Sequence, residues 1–145
     1  MSGADLVDQR FIGIPYKLGG RVVEGADCIG VAILWLESQG ITYEYDAGKG
    51  RELAHWWDKS PRRFVESMLE VGQLIHWPDV RRFDVLMFIT NDRNTFPNCL
   101  GIMVDDRHFL STDLERGSFI QMLNEAWKAK FWGAVRLNKV LEAGL

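Results

Sequence analysis

The sequence predicts an α+β fold with a mainly antiparallel sheet. Apolar residues recur at helical spacing in the first half of the chain and gather into strand-length blocks in the second. Those blocks follow one another too closely for crossover helices, which leaves hairpin connections. Composition agrees: 47% hydrophobic and 26% charged residues suit a chain with a packed core. At 145 residues a single domain over 1–145 is expected.

Residues 5–12 read as a short helix, with Leu6, Val7, Phe11 and Ile12 apolar at helical spacing. Pro15 disfavours helix at Ile14 and ends it. The glycine-containing stretch 18–25 reads as loop. The next helix runs from about Asp27 to Ser38, with Asp27 suited to the N-cap and Gly40 to the stop. It is apolar on nearly all sides, which places it in the core.

Residues 43–57 are polar and aromatic and give a weak signal, with a helical turn near 52–57. Ser60 and Pro61 then suit the N-cap and first position of another helix. Phe64, Met68 and Val71 share one face of it, and Gly72 ends it. Beyond that the period changes. Strands are expected at 83–89, at 98–104 and at 108–112, the last two joined through the Asp105-Asp106 turn. Residues 118–122 read as a short fourth strand, 127–130 as a helical end and 131–137 as a last strand.

Several function classes lose support at once. A net charge of −3 gives no electrostatic reason for a nucleic-acid or anionic-membrane partner. Arg62-Arg63 and Arg81-Arg82 read as solvated surface. No apolar run reaches the length of a membrane span. The first residues lack a basic start followed by an apolar stretch, so synthesis and folding in a cytoplasm are expected. Two cysteines are too few for a disulfide framework and lack the spacing of a zinc site. Neither metal nor cofactor is expected.

Cys28 is the residue that points to chemistry. It lies in Gly25-Ala26-Asp27-Cys28-Ile29-Gly30, at a glycine-flanked turn opening the core helix. Unpaired N–H groups and the helix dipole at such a turn favour thiolate, the nucleophilic form. The plainer reading is a small buried hydrophobe at a helix start.

That segment, with Pro15-Tyr16-Lys17-Leu18-Gly19-Gly20 before it, resembles the nucleophile region of the NlpC-type cell-wall cysteine peptidases, which share a papain-like fold. The family core reads Asp-Cys-Ser-Gly, or Asp-Cys-Trp-Gly in phage members; Ile29 stands at the variable position. Arg82-Phe83-Asp84-Val85-Leu86-Met87-Phe88 is similar to the family's Pro-Gly-Asp strand. Cys99-Leu100-Gly101-Ile102-Met103 is similar to its His-Val-Gly-Ile-Tyr strand, and Phe109-Leu110-Ser111-Thr112 to its Phe-Ile-His-Ala strand. Gly133-Ala134-Val135-Arg136 resembles the closing strand of phage versions. The resemblance runs from about residue 10 to residue 137.

It implies acyl transfer, in which a cysteine thiolate attacks a peptide carbonyl of murein near a D-amino acid, a histidine acts as base and a polar residue orients that histidine. Carried over, Cys28 matches the nucleophile and Tyr16 the tyrosine that shapes the oxyanion region. The base position holds Cys99 and the orienting position Ser111. A thiol is a poor substitute for imidazole, and its charge on ionisation would raise the pKa of Cys28. Loss of a general base costs about 10²–10⁴-fold.

Strand parity puts His108 on the face opposite Phe109 and Ser111. His76 reads as a surface or core residue, and His55 sits in the weak-signal segment. If Cys99 replaces the base, the two sulfurs should face each other across a cleft.

The resemblance therefore implies a phage tail-tip or tail-assembly protein with lost or reduced hydrolase activity. Other tail proteins are then the partners, with peptidoglycan peptides a further candidate, and the virion tail its destination. The alternatives are an active endopeptidase that opens the wall during genome delivery with an unusual base, and an assembly factor that leaves the tail.

Overall fold

The computed structural model describes residues 7–42, 61–90 and 95–145. Ser60, His55 and the expected turn at 52–57 lie outside the described residues, as does the start of the first expected helix. Its described part is a single 3-10 turn, Gln9–Phe11, with the Asp8 carboxylate accepting from the Arg10 N–H. Two short strands, β1 (Arg21–Val22) and β2 (Gly25–Ala26), form a hairpin where the sequence suggested loop. Two-residue strands carry no periodicity to read.

Helix α1 (Cys28–Ser38) follows with Asp27 as its N-cap. It ends in a Schellman arrangement around Gly40, whose φ is +79°. The Ile41 N–H reaches the Leu36 carbonyl at 2.9 Å and the Gly40 N–H the Glu37 carbonyl at 3.0 Å. Helix α2 (Pro61–Val71) runs directly into β3 (Gly72–Ile75). The sequence marked Gly72 only as a helix stop, so β3 was not anticipated.

The remaining strands are β4 (Val85–Phe88), β5 (Cys99–Met103), β6 (His108–Asp113), β7 (Gly117–Met122) and β8 (Phe131–Leu137). A short helix α3 (Glu125–Lys128) precedes β8, and an unanticipated α4 (Asn138–Glu142) follows it. The six longer strands form one sheet in the order β3-β8-β4-β5-β6-β7, with every adjacent pair antiparallel. β4 to β7 form a meander, and β8 returns to lie between β3 and β4.

Both faces of the sheet are covered, which is why β4 reads as an unbroken apolar run. On one face Val85, Met87, Leu100, Ile102, Leu110 and Val135 share a cluster with Ile29, Trp35 and Leu36 of α1. On the other, Leu86, Phe88, Met103 and Phe109 cluster beneath Trp127 of α3. Trp127 meets Phe88 and Phe109 edge-on, each at 5.1 Å between ring centroids. Burying each large apolar side chain contributes about 1.5–3 kcal/mol relative to exposing it.

Phe83 sits in the left-handed region at φ 75°, at the glycine position of the Pro-Gly-Asp pattern. Its ring lies 5.5 Å from Trp35 and beneath the Arg82 guanidinium at 4.6 Å. Beside it, Asp84 is fully buried and accepts from Arg136 through Nε and Nη2, each at 2.9 Å, and from the Arg81 N–H at 2.9 Å. This fork locks the start of β4 to β8, and the hydrogen bonds to Asp84 raise the pKa of Arg136.

Glycine normally destabilises a buried position relative to alanine, but it carries no penalty at positive φ. Phe83→Gly should therefore unfold in urea at the same or a higher concentration than Phe83→Ala. Both should lose about 3–5 kcal/mol of packing. A clear deficit of the glycine variant would contradict the assigned conformation.

Candidate active site

Asp27 organises the site. Its side chain is fully buried, yet its carboxylate is saturated with donors. Oδ1 accepts from the Gly30 N–H at 2.9 Å and from Arg21 Nη1 at 2.8 Å, and Oδ2 accepts from the Gly19 N–H at 3.0 Å. It thus caps α1, pins the loop before β1 and neutralises a guanidinium that is 15% exposed. Gly30 is needed because a Cβ there would run into the Gly20 carbonyl.

Tyr16 is set beside this turn by backbone pairing with Ala26. The Ala26 N–H donates to the Pro15 carbonyl at 3.0 Å and the Lys17 N–H to the Ala26 carbonyl at 3.2 Å. Across from Cys28, the ends of β4 and β5 are clasped by Asn98. It accepts from the Thr90 N–H and donates to the Thr90 hydroxyl, both at 2.8 Å.

These elements enclose a cavity of about 270 Å³ lined by Tyr16, Cys28, Thr90, Asn98, Cys99, Thr112, Asp113 and Leu114. A larger cavity of about 510 Å³ lies elsewhere, along Arg10, Trp35 and Arg82, and no cysteine or histidine among the described residues lines it. Cys28, Tyr16 and Cys99 therefore come together as the resemblance implied. Ser111 does not line the cavity. It is buried beside Cys99, where its hydroxyl donates to the Leu100 carbonyl at 2.7 Å. Cys99 packs on the sheet face opposite α1 while still reaching the cavity.

Both cysteines are free. The thiolate stabilisation expected for Cys28 from its helix start is outweighed. Burial pushes its thiol well above the ordinary value, and the neighbouring Cys99 and Asp27 push further; N–H groups of Leu100 and Ile29 aimed at the sulfur pull back only in part. Burial also raises the Cys99 thiol, against the pull of the neighbouring Ser111 hydroxyl. The Tyr16 hydroxyl is raised by burial and by the charges of Cys28, Asp27 and Cys99, so it stays a neutral donor.

Among the described residues, Asp113 is the one carboxylate on the cavity wall. Partial burial works to raise it, but the Arg116 N–H at 2.7 Å and the Arg116 guanidinium at 2.8 Å hold it below the usual carboxylate range. It is a weak base. His108 bonds Asp105 through Nδ1 at 3.1 Å, and His76 is exposed away from the cavity. No imidazole among the described residues lines the cavity. Among the described residues no cluster of three metal-ligating side chains occurs, and no helix is long and apolar enough to cross a membrane. The Asp27–Arg21 and Asp84–Arg136 pairs were not identified from sequence. Each pairs residues that sequence periodicity does not connect.

No family sequence model matches the chain, and no curated protein sequence does. Solved structures do match. An NlpC/P60 family protein from Bacillus cereus superposes with a TM-score of 0.63 at 20% identity, over 94% of this chain and 40% of that one. An NlpC protein from Trichomonas vaginalis gives 0.60 at 19% identity, over 93% and 42%. The NlpC/p60 domain of the peptidoglycan hydrolase SagA gives 0.54 at 19% identity, over 94% of this chain and 100% of that one. The chain thus spans about two fifths of the length of the first two proteins and the whole of the third domain. It has the NlpC/P60 fold, as its motifs implied.

Removing Asp27 takes the carboxylate away from the Arg21 guanidinium and the cap away from α1, so Asp27→Ala should cost about 3–5 kcal/mol in urea unfolding. The Asp27→Ala/Arg21→Ala double variant should cost clearly less than the sum of the singles; strict additivity would show that the pair does not couple.

Alkylation reports the thiol directly. Iodoacetamide attacks thiolate, and the raised pKa leaves little thiolate at neutral pH. Labelling of Cys28 should be slower at pH 7 than that of an unfolded cysteine peptide and still rise about tenfold per unit at pH 9. Fast labelling that plateaus below pH 7 would reverse the assignment.

Proposed function

We propose that this chain is a phage tail-tip or tail-assembly protein that keeps the murein-peptidase cleft of its fold with hydrolysis lost or much reduced. One observation carries the loss of activity: the group at the base position beside Cys28 is the thiol of Cys99, and burial favours the protonated form of both sulfurs. Without a proton acceptor poised near neutrality, neither thiolate formation nor protonation of the leaving amine is assisted. The tail assignment rests on the sequence likeness of the Asp27-Cys28 loop and of Gly133-Ala134-Val135-Arg136 to phage versions. Named neighbours of this fold include a peptidoglycan hydrolase, which supports murein peptides as the class of ligand the cleft suits.

Two measurements test the reading. Incubation of the purified protein with muropeptides should release no product above a Cys28→Ala control. Cleavage that disappears in Cys28→Ala would establish an active endopeptidase, and its loss in His55→Ala would then identify the base. Conversely, Cys99→His should speed alkylation of Cys28 at pH 7 by about tenfold or more, because an imidazolium beside the sulfur favours thiolate. Mass spectrometry of purified virions should find the chain in the particle; its absence would favour an assembly factor.

A further inference from the structure

Five polar or charged side chains are buried among the described residues, and four of them are fully accounted for. Asp27 and Asp84 accept from arginines and backbone. Ser111 donates to the Leu100 carbonyl at 2.7 Å. Ser118, directly opposite Thr112 across β6 and β7, accepts from the Ile14 N–H at 2.8 Å and donates to the Phe11 carbonyl at 2.6 Å. Thr112 is the exception. It is 6% exposed, and its Oγ1 has no hydrogen-bond partner among the described residues. Buried hydroxyls are rarely left so, because an unmade bond forfeits what water supplied.

Its position gives the orphan a use. Thr112 is two residues from Leu110, which faces α1, so strand alternation puts it on the α1 side. There it lines the cavity that contains Cys28 and Tyr16. We infer that the Thr112 hydroxyl is a ligand-binding group, donating its hydrogen bond to a carbonyl oxygen of a peptide held in the cleft beside Cys28. The hydroxyl has no partner among the described residues, so its donor is uncommitted when a carbonyl arrives. The inference rests on the peptide-binding reading of the cleft but not on turnover, since binding needs no base.

The test uses the full chain carrying Cys28→Ala, titrated calorimetrically with the free murein tetrapeptide and with an all-L tetrapeptide. Thr112→Val keeps the shape and removes only the hydroxyl. It should weaken binding of the peptide that the parent binds by about tenfold. Its melting temperature without ligand should equal or exceed the parent's. Equal affinity in the two proteins overturns the role of Thr112 while leaving murein binding intact. So does a lower melting temperature without ligand, which would mean the hydroxyl is already satisfied. Binding of the all-L peptide alone, weakened by Thr112→Val, upholds the inference and rejects murein as the ligand. Binding of neither peptide rejects both.

Discussion

The site depends on one buried carboxylate. Asp27 has no exposure, and the cost of burying it is offset by two backbone N–H groups and a guanidinium that meet its carboxylate. Those bonds run in three directions: into the first turn of α1, back to the loop at Gly19, and across to the strand at Arg21. Together they fix where α1 begins, and with it the position of Cys28. The close approach of the Gly20 carbonyl to Gly30 tightens the same corner. The placement of the sulfur is thus a consequence of charge satisfaction, not of anything the thiol does.

That separation leaves the position of the sulfur independent of its ionisation. A helix start supplies N–H groups and a dipole, and the Ile29 and Leu100 amides do aim at the sulfur. Burial and two nearby acidic groups act the other way and win. In a thiol–imidazole pair a developing cation would oppose them; a thiol–thiol pair has no cation to offer. Asp113 cannot fill the gap, because Arg116 holds it as a stable anion. Among the described residues, the cleft has walls but no imidazole on them.

A second buried pair, Asp84 with Arg136, does for the sheet what Asp27 does for the helix. It joins the start of β4 to β8 and holds the corner where Phe83 turns through positive φ. Position 83 then carries a ring that packs on Trp35 of α1, so the backbone strain is offset by core contact. The two ion pairs set the helix and the sheet independently, and the cleft is the space left between them.

Helix α1 and strands β4 to β8 were legible in the sequence because their signals are local: a capping Asp27, a Gly40 that completes a Schellman turn, and apolar runs matched to two covered sheet faces. The fold was readable for the same reason, since motif order along the chain preserves strand order, and that order also brings Cys28 and Cys99 to one cavity. Strands β1 and β2 are too short to show a period, and β3, which begins at a glycine that reads as a helix stop, is decided by pairing with the distant β8. Only the tertiary structure joined Arg21 to Asp27 and Arg136 to Asp84. Only it raised the Cys28 thiol where the helix start alone argued for lowering it. Desolvation and unpaired hydroxyls depend on everything that surrounds an atom, and a linear sequence records neighbours along the chain, not around it.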